Sequence, residues 1–265
     1  MTAANSTDSQ SPGHLKAVIT ASGQGIFAVG ADDQFIGRSL RETGSYGLGE
    51  IALASQHISK EDEILVVGSH VGTLAIPLAR ICKHVTAIEA NPWTYKLLQC
   101  NVILNDSTNV TTLNYAANDT RSSMKFVMNT TNSGGSKRFP KISHDIFFYD
   151  NPDTVDVQAV SLDEELPGKV FSLIIMDIEG SEYFALRGMP NILKNTKALF
   201  IEFLPHHLSL VAGITPEAFA DELSPYFSHV LFPSTGERFE KADFSRILRD
   251  KFDRQEGHEC VVFTK

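Results

Sequence analysis

With 265 residues, the chain is long enough to bury a substantial core as one large α/β domain. Its 42% hydrophobic and 21% charged residues are those of an ordinary soluble globule and exclude the disordered and fibrous classes. Lys and Arg number 23 against 32 acids, and the formal charge of -9 argues against a general nucleic-acid binder, because phosphate backbones reward basic surfaces.

Residues 1–14 are polar and predict a disordered tail without the apolar stretch of a secretion signal. Residues 15–265 are expected to form one domain. Its first part, 15–62, is a cover in which AVITASGQGIFAVGADDQF predicts a β-hairpin and IALASQHI a helix. Between them GSYGLGE reads as a flexible loop. Residues 63–90, EILVVGSHVGTLAIPLARICKHVTAIEA, change from an apolar run to helical spacing and back, which predicts strand, tight turn, helix and strand. PWTYKLLQCNVILN continues as a helix and VTTLNYA, 110–116, as a third strand, so the fold expected is α/β with a doubly wound, mostly parallel sheet.

The alternation breaks between 120 and 156, where MKFVM could be an extra strand and NTTNSGGSKRFPKISHD reads as a long loop. Three further strands are expected: VDVQAV, the apolar run reaching Asp177, and ALFIEF with Glu202 near its end. Thr215-Pro216-Glu217 starts a helix, VLFP a strand, residues 240–251 a charged helix, and ECVVFTK closes the chain. Cys82, Cys100 and Cys260 form no C-x-x-C pair, so neither a disulfide framework nor a zinc site is indicated, and a reducing, cytoplasmic setting is expected. No run approaches the roughly 18 apolar residues of a membrane span, so no membrane partner is expected.

Ligands of open α/β sheets sit beyond the carboxyl ends of the strands, and Gly68, Glu89, Asn118, Asp119, Asp177 and Glu202 all fall at such ends. Each acid alone could serve as a helix cap; several on one rim point to a shared site. The turn Gly68-Ser69-His70-Val71-Gly72 lacks the G-x-G-x-x-G triplet that admits a pyrophosphate, and no P-loop occurs. A ligand with ribose and adenine but no phosphate, S-adenosylmethionine, fits this pattern better than a dinucleotide.

In order and spacing, VVGSHVGTLAIPLA, VTAIEANP, LLQCNVILN, SLDEEL, IIMDIEGSEYFALRGM and ALFIEF resemble the FkbM-like class I methyltransferases over residues 44–207. The D-x-E-G-x-E segment, Asp177 to Glu182, is the most specific part. The resemblance implies a Rossmann-like sheet of seven main strands, the last antiparallel, and methyl transfer, most often to the oxygen of a small-molecule or sugar-like hydroxyl. It implies that Gly68, Ser69, His70 and Gly72 form the turn under the methionine part of S-adenosylmethionine. Glu89, with Ala90, would hold the ribose, and Asn118 or Asp119 the adenine edge. Asp177 and Glu179 would lie beside the reacting methyl, with Asp177, Glu179 and His206 as candidate bases. No metal is required; a variant has Asp177, Glu179 and Glu202 hold a divalent cation, since hard cations prefer carboxylates. The chain departs from the pattern in two places, with Val66 where the family usually has an acid and His70 where it has Asn. A non-catalytic adenosine-ligand sensor and, less favoured by the glycine spacing, an NAD-dependent oxidoreductase are the alternatives.

Overall fold

The structure, a computed structural model, describes residues 16–265; the expected tail, 1–14, lies outside the described residues. Strands β1 (Ala17–Ser22) and β2 (Gly25–Gly30) form the anticipated antiparallel hairpin, followed by helices α1 (Ile36–Glu42) and α2 (Leu48–Ser55). The segment expected as a loop is therefore partly helical: Gly47, at φ 67°, turns the chain into α2, which takes up Gly49 and Glu50.

The central unit is β3 (Glu63–Val67), α3 (Ala75–Ala79), β4 (His84–Ile88), α4 (Pro92–Leu104) and β5 (Val110–Leu113). Pro77 is tolerated because α3 is only one and a half turns long and a first-turn N–H has no partner to lose. Asn91 caps α4 by accepting from the Trp93 N–H, with Pro92 at the first helical position, where a fixed φ and missing N–H cost nothing.

The insertion is more ordered than its composition suggested. β6 (Ala116–Ala117), β7 (Ser122–Met128), β8 (Lys137–Arg138) and β9 (Asp153–Val160) form a separate four-stranded sheet in the order β6-β9-β7-β8. The expected third strand is thereby split, with β5 ending at Leu113 and Ala116–Ala117 pairing with β9.

After α5 (Leu162–Glu165) come β10 (Leu173–Met176), α6 (Glu182–Arg187), α7 (Pro190–Asn195) and β11 (Ala198–Phe203). A π-helical turn at His207–Ala212 precedes α8 (Pro216–Leu223), β12 (His229–Phe232), β13 (Glu237–Glu240), α9 (Phe244–Asp253) and β14 (His258–Thr264). The main sheet runs β13-β12-β14-β11-β10-β3-β4-β5, with β14 antiparallel to both neighbours. It has eight strands rather than the seven expected. The extra edge strand is ERFE, which the sequence reading left without an element except for Glu240, taken as the start of the charged helix; that helix begins at Phe244.

Alternate residues of the central strands point to opposite faces, as the pleat requires. Leu65, Val67, Ile174, Met176, Leu199 and Ile201 join one buried cluster with residues of α6 to α9. Ile64, Val66, Leu173, Ile175, Ala198 and Phe200 join another with residues of α2, α3 and α4. Strands covered on both faces read as continuous apolar runs, which is why they were legible. Strand order reverses between β3 and β10, and their C-terminal ends open at that reversal.

Asn101 of α4 and Asn105, its C-cap, tie the cover to the core, Asn105 through both backbone groups of Ile26. Asn101 of α4, fully buried, accepts from Ala28 N–H at 2.6 Å and donates to Ala28 O at 3.0 Å and Val71 O at 2.8 Å. Replacing Asn101 by Ala leaves these buried groups unpaired and is expected to destabilise the fold by about 3 kcal/mol in urea unfolding. A loss below about 0.5 kcal/mol would show that the cover is held elsewhere.

Candidate functional site

A cavity of about 860 Å³ opens over the ends of β3, β4, β10 and β11, roofed by the cover and the insertion. Pockets of roughly 300–1,000 Å³ enclose ligands of cofactor size. One wall is the turn after β3. Gly68 has φ 85°, and a Cβ there would stand 1.7 Å from the carbonyl oxygen of Asp177, so only glycine allows this close approach. Ser69 Oγ donates back to Val66 O at 2.9 Å, closing the turn.

Glu89 ends β4 beside that turn. Its carboxylate accepts from His70 N–H at 2.7 Å, Asn91 N–H at 2.8 Å and Thr94 Oγ1 at 2.9 Å. Burial pushes its pKa up while these donors oppose the shift. A carboxylate offers about four acceptor sites, so one is left for a ligand hydroxyl. Beyond it, Tyr115, Ala116, Ala117 and Phe126 form a mostly apolar slot.

The opposite wall is acidic. Asp177 follows β10, with its N–H donating to Val67 O at 3.0 Å. Glu179 has φ 55° and Gly180 φ 96°; a Cβ on Gly180 would meet Val211 Cβ at 2.7 Å and His207 Cβ at 3.2 Å. The D-x-E-G pattern thus serves packing as well as chemistry, because the glycine admits the π-helical turn that delivers His207. Glu179 Oε2 pairs with Lys137 Nζ at 2.8 Å and lies 3.2 Å from His207 Nε2, while Glu202 Oε2 lies 3.4 Å from His207 Nδ1.

Burial and the neighbouring carboxylates, Glu179 foremost, hold Asp177 well above the usual carboxylate range. Burial and repulsion, mainly from Asp177, do the same to Glu202. Burial also pushes Glu50 and Glu182 up to about 7. His207 is driven down to about 2 by burial and the adjacent Lys137, and remains neutral.

The cavity brings together Gly68, Ser69, His70, Glu89, Ala90, Asp177, Glu179, Glu202 and His206 from the sequence-derived set. Gly72, Asn118 and Asp119 are not among its lining residues. Gly72 lies under the turn against Leu98 and Ile76. Asn118 is turned into its own loop, donating to Thr120 O at 3.1 Å, with the backbone of Gly188 packed against its carbonyl. Asp119 lies 4.0 Å from Arg187 on the far side. Among the charged and imidazole side chains that line the cavity, sequence reasoning did not assign Lys137, His207, Glu50 and Glu259 to the site.

Glu179, Glu202 and His207 place ligand atoms within 4.8 Å of one another, whereas the sequence reading grouped Asp177 with the two glutamates. Glu179 meets one edge of the His207 ring and Glu202 the other, and the Lys137 ammonium already stands beside Glu179.

The raised carboxyls hold protons in the folded state that an unfolded chain releases, so their contribution is present at low pH and lost as pH rises through their folded pKa. Between about pH 8.5 and 6.5 the melting temperature of the free protein is expected to rise as pH falls, and Glu202→Gln to flatten that slope. Below about pH 6.5 the neutral His207 acts in the opposite sense, because only the unfolded chain takes up its proton readily. A melting temperature that falls from pH 8.5 to 6.5 would contradict the assignment.

A search of curated proteins returned no match. Among solved structures, the chain is similar to the methyltransferase FkbM from Methylobacillus flagellatus KT, at 17% identity and TM-score 0.44, over 78% of this chain and 44% of that one. It thus spans less than half the length of that protein. It is also similar to M. jannaschii TYW2 in complex with AdoMet, at 12% identity and TM-score 0.47, over 96% and 87% of the two chains. Trm5b from Pyrococcus abyssi gives 13% identity and TM-score 0.45, over 95% and 56%. Among the described residues no helix is long and apolar enough to cross a membrane. The model of the methyltransferase FkbM domain matches residues 67–235, more than half of the sequence, and the chain belongs to that family.

Proposed function

We propose that the chain is an S-adenosylmethionine-dependent methyltransferase acting on a hydroxyl oxygen of a small-molecule or sugar-like acceptor. One observation carries the reading: a single cavity faces the glycine turn and Glu89 on one side and the Asp177–Glu179 strand end on the other. The donor set fits the cofactor. Glu89 has one acceptor position left for a ribose hydroxyl, Tyr115 to Ala117 with Phe126 offer a slot for adenine, and the turn 68–70 lies where the methionine part would rest. When bound, S-adenosylmethionine supplies a methyl group on a positively charged sulfur, open to in-line attack.

The residues then do two things. The wall of carboxylates favours a cationic centre in a water-poor site, where charge interactions are stronger than in bulk solvent. Asp177 takes the acceptor's proton at a side-chain oxygen: its raised pKa makes it a better base than an ordinary carboxylate. His206, half-buried and stacked on Phe147 with centroids 6.3 Å apart, shapes the acceptor side rather than holding a proton there. The charge of -9 supports a small acceptor over a nucleic acid.

Calorimetry with S-adenosylmethionine and S-adenosylhomocysteine is the test, and absence of binding to both would sink the proposal. Glu89→Ala is expected to weaken binding by about 1–3 kcal/mol, the loss of charged hydrogen bonds. Asp177→Asn should retain cofactor binding while turnover falls roughly 10²- to 10⁴-fold, the usual contribution of a general base. Wild-type turnover should rise with pH beyond the ordinary carboxylate range as Asp177 loses its proton. Binding with no turnover on any hydroxyl acceptor would move the assignment to a non-catalytic adenosine-ligand sensor.

A further inference from the structure

Among the described residues, five large hydrophobic side chains line the cavity and are nevertheless exposed, from 38% for Tyr46 to 56% for Phe35. They mark where the cavity meets solvent. Phe35, Tyr46 and Leu48 come from the cover, and Ile146 and Tyr149 from the insertion. Exposed apolar residues scattered singly are ordinary, whereas several around one opening mark a binding surface.

Both lips of the opening are anchored. Phe35 N–H donates to the buried Asp33 carboxylate at 2.9 Å. Buried Gln24 holds the Tyr46 backbone from both sides: its Oε1 accepts from Tyr46 N–H at 2.6 Å and its Nε2 donates to Tyr46 O at 2.7 Å. Asp150, next to Tyr149, accepts from Asn129 Nδ2, Thr130 N–H and Thr131 N–H at 2.8, 2.7 and 2.9 Å. The fold thus holds these apolar groups in water. Both lips also reach the acidic wall. Phe147, beside Ile146, packs its ring against His206 and His207, with centroids 6.3 and 5.8 Å apart. Burial and then the nearby Asp177 push the Tyr46 phenol up, and burial, Asp150 and Glu179 act likewise on Tyr149.

We infer that the acceptor is an uncharged amphiphile, its hydroxyl directed at Asp177 and its apolar portion lying between Phe35, Tyr46 and Leu48 on one lip and Ile146 and Tyr149 on the other. This acceptor class rests on the methyltransferase reading given above and narrows it. Covering the lips removes apolar surface from water, a gain that a purely polyhydroxylated acceptor cannot draw on. An anionic acceptor would meet Asp177, Glu179 and Glu202 in the same cavity. Asp145 and Asp150 flank the insertion lip, and with the net charge of -9 they oppose an anionic lipid surface, so the lips fit a dissolved molecule better than a membrane.

The test is calorimetry with hexyl, heptyl and octyl β-D-glucosides, below their micelle concentrations, on protein first saturated with S-adenosylhomocysteine. Affinity is expected to rise about two- to fourfold per added methylene, as partial to full burial of each implies. Leu48→Ser and Ile146→Ser, both at exposed positions, are expected to flatten that dependence while leaving affinity for S-adenosylhomocysteine unchanged. Affinity independent of chain length, an unaltered dependence in both variants, or glucosides that displace S-adenosylhomocysteine would each overturn the inference. So would variant-sensitive binding to phosphatidylcholine vesicles without binding of the glucosides, which assigns the lips to a membrane surface. Failure of the wild type to bind S-adenosylhomocysteine at the first step would bring down the cofactor reading itself, and the acceptor class with it.

Discussion

The site depends on how closely two backbones approach at the reversal of strand order. Gly68 lies against the peptide of Asp177 with no room for a Cβ, and the Asp177 N–H donates to Val67 O at 3.0 Å. This joins the end of β3 to the end of β10. The glycine turn and Glu89 belong to one half of the sheet and the acidic strand end to the other; the β3–β10 pairing sets the halves side by side, and this contact brings their ends together as walls of one cavity. A bulkier residue at 68 would separate the strand ends before it affected any ligand directly.

The acidic wall tolerates its own repulsion through two devices. Lys137, 5% exposed, sets a cation beside Glu179, while Asp177 and Glu202 keep protons at pH values where exposed carboxyls lose them. Burying the Lys137–Glu179 ion pair, and the neighbouring carboxyls whenever they ionise, is costly because each charge loses its hydration. A cationic ligand beside these carboxyls would offset that cost.

Legibility in the sequence followed the range of the interactions. The unit from 63 to 90 was readable because strand, turn and helix each announce themselves locally through apolar runs, glycines and spacing. Strand β13 was not: four residues, half of them exposed, carry too little pattern to outweigh the charges around them. Residues 114–116 looked like one strand with 110–113, yet pairing with β9, more than 40 residues later, claims Ala116 together with Ala117. Lys137 appeared as one of several basic residues in a loop, and nothing local distinguishes it from its neighbours. His206 and His207 are adjacent, and only the π-helical turn decides that His207 faces Glu179 and Glu202. Asn118 and Asp119 had the expected place in the order of elements but lost the cavity to a contact with Gly188.

The clamp made by Asn101 also constrains the order of assembly. Its bonds to Ala28 span 73 residues, and the Asp33 contact with Ser133 spans 100. Contacts of such separation form late, after the loop between them has been closed. The hairpin β1–β2, with α1 packed beside it, is thus synthesised well before α4, on which it docks, and a two-stranded hairpin alone is marginally stable in water. During synthesis the cover remains unsettled until α4 and then the insertion are in place, and the acidic wall at 177–207 is added only after that roof.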